Sequence, residues 1–318
     1  MSTPSVSVVI PLYNKERHIA RAIQSVLGQT YGDLELVIAN DGSTDGGAKA
    51  VESISDPRIR LVHQENAGVS AARNRGIAEA RADLIAFLDA DDEWLPKHLE
   101  TILRLTRKYP ECGAYANAYI EHGADGTQRP RLFESVSRPP SDGVIRNYFR
   151  PPSGTTLVWT SVAAVWKTTF NRVGTFLVGL QNGEDGDMWC RIALEFPVAF
   201  SNYVGGVYHM NADNRLSTLD IFADTANRIR ITTEALRHNR YHKGIAREDI
   251  SEFRNMLLLN DAARCLKNRQ RAKARTCLSL TRSTRLHRHR RLLLCAAALL
   301  PYRLITAGWR AIAHLRTR

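Results

Sequence analysis

Long hydrophobic runs are absent from the sequence, and cysteine is scarce. The longest uninterrupted apolar run, residues 292–300, has nine residues, whereas a helix that crosses a bilayer needs about 20. We therefore expect no membrane-spanning segment, and the residues before the first apolar run lack the basic stretch of a secretory signal. The five cysteines are widely spaced and include no Cys-x-x-Cys pair. This pattern favours reduced thiols and a cytoplasmic location.

Acidic residues are missing from the C-terminal part of the chain. No Asp or Glu follows Asp261, although residues 262–318 hold 15 of the 44 lysines and arginines. Residues 1–261 hold the other 29 basic residues and all 32 acidic ones, a net charge of −3, so the overall charge of +12 belongs to the tail. A near-neutral body with a cationic tail indicates a segment that docks on an anionic partner. A nucleic-acid-binding protein would interleave aromatic and basic residues, and residues 264–291 contain no Phe, Tyr or Trp.

The basic tail also carries the longest apolar run. Residues 282–291 contain five Arg and two His, residues 292–300 follow directly, and Trp309 lies further on. Basic side chains beside apolar ones, with an aromatic ring available for an interface, are typical of a segment on an anionic membrane surface, here 282–318. Two alternatives stay open: a terminal helical pair that packs on the rest of the chain, and an oligomer contact through residues 292–300.

Short β-rich runs alternate with helical patterns over the first third of the chain. This rhythm predicts an α/β fold with a doubly wound, mostly parallel sheet and flanking helices. Ligands of such sheets bind beyond the carboxyl ends of the strands, which points to residues 11–14, 40–45 and 89–92. We predict one α/β domain over residues 1–217 and a helical, basic extension over residues 218–318.

Three carboxylates follow the apolar run at residues 84–88, namely those of Asp89, Asp91 and Asp92. Like charges at the end of a buried strand are costly unless a cation neutralises them, and oxygen-only ligands favour Mg²⁺ or Mn²⁺ over zinc. The alternative is a solvated acidic turn before a helix that starts near Pro96.

A second and a third segment suit a nucleotide. Asp41 lies in a glycine-containing turn after an apolar run, where its carboxylate can accept hydrogen bonds from a base or a ribose. A plain Asp-Gly turn is the alternative. Residues 66–76 open a helix that carries Arg73 and Arg75, whose guanidinium groups suit a diphosphate or the nearby Asp side chains. A solvated face is the alternative for both arginines.

A fourth acidic segment, residues 182–189, precedes an apolar helical pattern. Glu184 and Asp185 there either serve the chemistry of a site or merely complement the helix macrodipole.

Together and in this order, the segments resemble glycosyltransferase family 2, the inverting family with the GT-A fold. Pro11-Leu12-Tyr13-Asn14 is similar to its opening motif, and residues 41–45 are similar to its nucleotide-binding turn. Asp89-Ala90-Asp91 resembles its D-x-D motif, and Glu184-Asp185 resembles its catalytic motif. The likeness covers roughly residues 4–217.

The resemblance implies transfer of a sugar from a nucleoside diphosphate, with UDP expected, to a hydroxyl of a glycan or lipid-linked acceptor in surface polysaccharide synthesis. It also implies a divalent metal, Mn²⁺ or Mg²⁺, a nucleotide-sugar half at residues 1–110 and an acceptor half at residues 111–217. By this resemblance, Pro11 and Tyr13 would line the nucleotide pocket, Asp41 would bind the nucleotide's base, and Arg73 would support the nucleotide side. Asp89 would contact ribose or metal-bound water, Asp91 would bind the metal, and Asp185 would be the general base.

The sequence departs from the family pattern at residues 208–217. Where members carry an Arg and then a His two residues later, this chain has His209 and Asn211, so His209 is the candidate third metal ligand. An ordinary histidine at the edge of the core is the alternative. Two other functions also stay open. A nucleotidyltransferase would not need Glu184-Asp185, and an inactive sugar-nucleotide-binding scaffold would not need Asp91 and Asp185.

Overall fold

The computed structural model describes residues 3–131, 141–145, 147–150, 158–180, 182–212, 225–281 and 283–300. Two compact units are formed, one by Met1–Tyr148 with Thr156–Asp224 and the other by Phe149–Thr155 with Thr225–Arg318. The boundary predicted at residue 217 falls within 213–224, outside the described residues.

In the described part of the first unit, ten strands form a mixed sheet at its centre. Its strands are β1 (Val6–Leu12), β2 (Leu34–Asp41), β3 (Ile59–Gln64), β4 (Leu84–Phe87), β5 (Glu93–Trp94), β6 (Ala114–His122), β7 (Gln128–Arg131), β8 (Asp142–Val144), β9 (Ala163–Trp166) and β10 (Val198–His209). The order is β3-β2-β1-β4-β9-β6-β10-β5, with β7 on β6 and β8 on β10. The first four strands are parallel to their neighbours in this group, and β6 is parallel to β10. Strand β9 runs antiparallel to β4 and β6 and joins the two parallel sets.

Six helices alternate with the strands in the described part of the first unit: α1 (Glu16–Leu27), α2 (Gly47–Glu52), α3 (Val69–Glu79), α4 (His98–Lys108), α5 (Lys167–Val173) and α6 (Glu184–Glu195). In α1 the buried residues recur at helical spacing: Ile19, Ala22, Ile23 and Val26. They belong to one core cluster with the inward-facing residues of β1, β2 and β4. Each fully buried Ile or Val contributes about 1.5–3 kcal/mol. The predicted α/β fold class is confirmed.

The second unit is helical where it is described. It contains α7 (Ala226–His238), α8 (Arg247–Lys267), α9 (Arg271–Leu280) and α10 (Arg288–Ala297). Apolar residues of α8, α9 and α10 form a small separate core, among them Leu259, Leu278 and Leu294. The expected helical C-terminal region is therefore confirmed. Within the described ranges, no helix is long and apolar enough to cross a bilayer, and the five cysteines form no disulfide.

Candidate functional site

A cavity of about 860 Å³ lies at the edge of the sheet where β1, β2 and β4 end. This volume is in the usual range for a small-molecule site, roughly 300–1,000 Å³. The lining includes seven of the eight site residues expected from the sequence: Pro11, Tyr13, Asp41, Arg73, Asp89, Asp91 and Asp185. The cavity therefore brings together residues from five segments of the sequence, three of which lie at the ends of strands.

Two neighbouring loops at this edge are hydrogen-bonded to each other. Asn14 adopts a left-handed backbone conformation with φ 51°, which asparagine tolerates, and its Oδ1 accepts a hydrogen bond from Thr44 N at 2.8 Å. The backbone N–H of Glu16, the first residue of α1, donates to Asp45 Oδ2 at 2.8 Å. These bonds fix the loop after β1 against the loop after β2. The side chain of Tyr13 remains on the cavity wall, with 47% of the residue exposed.

Asp41 is buried, and protein donors already surround its carboxylate. Its Oδ1 accepts hydrogen bonds from Gln64 Nε2 at 2.6 Å and Ala67 N at 2.9 Å, and its Oδ2 accepts one from Gly68 N at 2.8 Å. A carboxylate offers about four lone-pair positions, so one is left for a ligand. Asp41 therefore holds the turn that opens α3, where Gly68 has φ 91°, a conformation that favours glycine.

Asp89 and Asp91 are each paired with a basic side chain. Arg73 Nη2 lies 2.8 Å from Asp89 Oδ1, and Lys15 Nζ lies 2.7 Å from Asp91 Oδ2. Both pairs are partly shielded from water, with Lys15 and Asp91 side chains only 12% and 16% exposed. The chain itself thus supplies the positive charge that the acidic cluster was expected to need.

Asp92, the third carboxylate, is stabilised in another way. Its Oδ2 accepts a hydrogen bond from Ser161 Oγ at 2.7 Å, and its Oδ1 accepts one from the backbone N–H of His209 at 3.3 Å. Burial raises the pKa of Asp92 well above its usual value, and the charges of Asp91 and Asp89 raise it further. Desolvation favours the neutral acid at this position, which weakens the repulsion among the three carboxyl groups of the cluster.

Arg73 connects the two acidic motifs. Its side chain is 4% exposed, and its guanidinium group contacts both Asp89 and Glu184, the latter at 2.9 Å. Burial by itself lowers the pKa of Arg73, but the two carboxylates raise it above the ordinary arginine value. Arg75 does not line the cavity and forms an exposed pair with Glu79 at 2.9 Å. The solvated-face alternative therefore applies to Arg75 and not to Arg73.

Glu184 and Asp185 open α6 rather than precede it. The helix follows Gly183, whose φ of 87° places the backbone in the left-handed region, and its first turn is acidic. Negative charge is favourable at this end of a helix. Both side chains also line the cavity, so the helix start and the site use the same two residues.

His209 is not among the residues that line the cavity. Its Nε2 lies 3.3 Å from Glu93 Oε2, and its ring contacts that of His122 with centroids 5.4 Å apart. The hydrogen bond from His209 lowers the pKa of Glu93. Within the described ranges, no three His, Cys, Asp or Glu residues are grouped to hold a metal ion. The metal-ligand role of His209 stays a prediction.

Six residues of the cavity were not predicted from the sequence: Lys15, Tyr119, Val158, Trp159, Thr160 and Tyr208. For Lys15 a signal existed, because it directly follows the opening motif at a strand end. The three aromatic residues lie on separate elements far apart in the sequence, so nothing local indicated that their rings meet.

The site described above has counterparts among known proteins. The sequence model described as Glycosyl transferase family 2 matches residues 7–173, more than half of the chain. The chain belongs to glycosyl transferase family 2. The resemblance inferred from the motifs is thereby confirmed.

Curated relatives of this family 2 member match it over part of their length. An uncharacterized glycosyltransferase of Nostoc sp. is 37% identical over 141 residues, which cover 42% of this chain and 44% of that protein. The Escherichia coli protein WfgD, named UDP-Glc:alpha-D-GlcNAc-diphosphoundecaprenol beta-1,3-glucosyltransferase, is 40% identical over 116 residues, 36% of this chain and 46% of its own. The chain therefore spans less than half the length of these relatives.

Solved structures resemble this family 2 member over nearly its whole length. Residues 1–349 of S. aureus TarS, in complex with UDP-GlcNAc, give a TM-score of 0.72 at 15% identity and cover 96% of this chain and 91% of that one. The mannosyltransferase PcManGT from Pyrobaculum calidifontis, in complex with GDP-Man and Mn²⁺, gives 0.58 at 20% identity, with 98% and 81% covered. Identities this low establish the fold alone, which confirms the expected GT-A fold.

Proposed function

We propose that this family 2 member is an inverting, metal-dependent glycosyltransferase. It moves a sugar from a nucleoside diphosphate sugar, UDP-linked, to a hydroxyl of a glycan or lipid-linked acceptor in surface polysaccharide synthesis. The observation that carries this proposal is a single cavity lined by both Asp91 and Asp185, which are far apart in the sequence. The names of the relatives support the donor class, since WfgD is named for UDP-Glc and TarS was solved with UDP-GlcNAc.

The nucleotide would lie against the ends of β1 and β2. Tyr13 offers an exposed ring on which a base can stack, and Pro11 is part of the same wall. Asp41 keeps one lone-pair position for an N–H of the base, while its other three hydrogen bonds hold it in place. Arg73 acts on the nucleotide side by orienting Asp89, whose other oxygen is available to ribose or metal-bound water.

A divalent ion fits the donor set of the cavity. Asp91 offers the hard oxygen ligands that Mg²⁺ and Mn²⁺ prefer, and such ions are often held by one or two carboxylates together with substrate phosphates. A cage of three protein ligands is therefore not needed. When bound, the ion supplies positive charge that stabilises the leaving diphosphate. The Mn²⁺ in the PcManGT complex supports this assignment.

Asp185 is the proposed general base. Its carboxylate accepts the proton of the acceptor hydroxyl while the hydroxyl oxygen bonds to C1 of the donor sugar. The bond between C1 and the diphosphate oxygen breaks on the opposite face, and its electron pair leaves with the nucleotide. A single displacement inverts the anomeric centre without a carboxylate nucleophile, so an α-linked donor gives a β-linked product. Lys15, which contacts Asp91, adds positive charge on the diphosphate side.

Calorimetric titration with UDP-, GDP-, dTDP- and CMP-linked sugars, first with Mn²⁺ and then with EDTA, tests the donor site. We expect Mn²⁺-dependent binding of one nucleotide class with a Kd of about 1 μM to 1 mM. Asp91→Ala should abolish this binding, whereas Asp185→Asn should retain it and lose transfer. Absence of binding by every nucleotide sugar would contradict the proposal, and wild-type transfer by Asp185→Asn would contradict the base assignment.

We also propose that residues 282–318 contact an anionic membrane on its cytoplasmic face. In the described part, Leu293 and Leu299 are 71% and 74% exposed and lie close in sequence to Arg288, Arg290 and Arg291. Exposed leucines beside arginines, with no acidic residue after Asp261, suit such a surface.

Replacement of both Leu293 and Leu299 by Ser should weaken cosedimentation with phosphatidylglycerol vesicles. Leu280→Ser is a matched control, because Leu280 is also exposed, at 57%, but ends the preceding helix. Unchanged binding by the double variant would contradict the membrane proposal.

A further inference from the structure

Three aromatic rings form one continuous group on the cavity wall. Tyr119 lies on β6, Tyr208 lies on β10, and Trp159 precedes a short 3-10 helix, Thr160–Val162, that leads into β9. The ring centroids of Tyr119 and Trp159 are 4.4 Å apart, and those of Trp159 and Tyr208 are 5.1 Å apart. All three residues are only partly buried, so this group is not closed core packing.

The backbone of β10 makes room for the group. Tyr119 pairs with Gly206 across the two parallel strands, and Tyr208 lies two residues further on, so both tyrosines are on the same face of the sheet. A Cβ at Gly206 would lie 2.7 Å from Val162 Cγ1 and 3.6 Å from Trp159 Cζ3. The missing side chain therefore allows the segment that follows Trp159, with Val162, to lie against β10, and Trp159 is then within contact distance of the same strand.

The sheet order places this aromatic group on the acceptor side of the cavity. Strand β2, which carries Asp41, is separated from β6 by β1, β4 and β9. At about 4.8 Å per strand, β2 and β6 are on the order of 19 Å apart. The loop after β4, with Asp89 and Asp91, lies between them. A donor with its base at Asp41 and its diphosphate at Asp91 therefore points its sugar toward the aromatic group.

We propose that Trp159 and Tyr208 bind the pyranose ring of the acceptor by stacking, which makes the acceptor group a sugar unit. This inference rests on the proposed transferase function. A pyranose has one face rich in C–H groups, which complement the negative face of an aromatic ring. Its rim of hydroxyls needs polar partners, and Asp185, Asn182 and Thr160 line the same cavity. An isoprenoid chain would instead need a continuous apolar wall, which carboxylates and amides interrupt here.

Saturation-transfer NMR on the full chain with UDP and Mn²⁺ tests the assignment. The probes are the methyl glycosides of glucose, galactose, mannose and N-acetylglucosamine, compared with farnesyl phosphate. We expect at least one glycoside to receive saturation, strongest at the C–H protons of one ring face. Trp159→Leu and Tyr208→Leu should each weaken the binding of that glycoside by about tenfold, because the stacking contact is lost.

Two variants act as controls. Trp159→Phe and Tyr208→Phe keep an aromatic face and should retain most of the saturation. Calorimetry with UDP and Mn²⁺ should give the wild-type Kd for all four variants, which also shows that each is folded.

If the wild-type chain does not bind UDP, the proposed function itself is overturned. UDP binding without saturation of any glycoside, saturation of farnesyl phosphate instead, or full saturation in both leucine variants would overturn only the acceptor inference.

Discussion

His98 should make the first unit less stable as the pH falls. The side chain is fully buried at the start of α4, its ring stacks on Trp94 with centroids 4.1 Å apart, and its Nδ1 lies 3.1 Å from Asn117 Oδ1. Burial lowers the pKa of His98 to about 3, against a smaller opposing effect of the hydrogen bond to Asn117. Trp94 Nε1 donates a hydrogen bond to the backbone oxygen of Ser161, which directly follows Thr160 of the cavity lining.

The sign of the effect follows from the two states. The unfolded chain binds a proton at His98 with an ordinary pKa of about 6.5, whereas the folded chain binds it only near pH 3. The neutral imidazole therefore contributes its full stability above about pH 6.5, and this contribution is lost as the pH falls toward 3. Linkage gives a loss in free energy of unfolding of about 2 kcal/mol at pH 5 and about 3 kcal/mol at pH 4.

Urea denaturation at pH 8 and pH 5, followed by tryptophan fluorescence, measures this loss. Four of the five tryptophans belong to the first unit, so the signal reports mainly on its unfolding. Because other groups also titrate, the comparison is with His98→Gln, which cannot bind the proton. Between pH 8 and pH 5, the free energy of unfolding of the wild type should fall by about 2 kcal/mol more than that of this variant. Replacement of exposed His238 by Gln is the control and should leave the wild-type dependence unchanged. Equal losses in wild type and His98→Gln would refute the reasoning.

Two further predictions concern charge pairs of the cavity. Lys15→Met should strengthen Mn²⁺ binding in the absence of nucleotide by about three- to tenfold, because the ammonium group no longer competes for Asp91. Electron paramagnetic resonance of free Mn²⁺ measures this affinity, and weaker binding by the variant would contradict the prediction. Arg73→Met should lower the free energy of unfolding by about 3 kcal/mol, because Asp89 and Glu184 lose their common partner. Arg75→Met, at an exposed position, should lower the free energy of unfolding by less than about 0.5 kcal/mol in urea denaturation. Equal losses in the Arg73 and Arg75 variants would refute the distinction between the buried and the exposed arginine.

The sequence was sufficient to predict the fold class and the edge of the sheet that carries the site. Both follow from short-range patterns: apolar runs with polar ends predict buried strands, and ligands bind where parallel strands end. The apolar stripe of α1 was also visible, because its spacing reports directly on the buried face. Such patterns say little about the antiparallel β9, which inserts between β4 and β6 through long-range pairing.

Side-chain partners within the site were not predictable in the same way. Arg73 contacts Asp89 and Glu184, which are 16 and 111 residues away in the sequence, and no local pattern selects these partners over a nucleotide phosphate. The aromatic group was missed for the same reason. Trp159 meets Tyr208 where the segment that contains Val162 lies close against Gly206 of β10, a feature of the three-dimensional packing.

The way the acidic cluster is neutralised bears on how a donor would bind. In this structure Lys15 pairs with Asp91, Arg73 pairs with Asp89, and burial favours the neutral form of Asp92. The cluster therefore does not need a ligand to be tolerated at the end of a buried strand, which removes the cost expected from sequence alone. The metal–diphosphate complex of the proposed donor would have to compete with Lys15 for Asp91, and the displaced ammonium group could then contact a phosphate oxygen. In the proposed reaction, the positive charge of Lys15 would thus move from Asp91 to the leaving diphosphate, where it would stabilise the negative charge that develops during transfer.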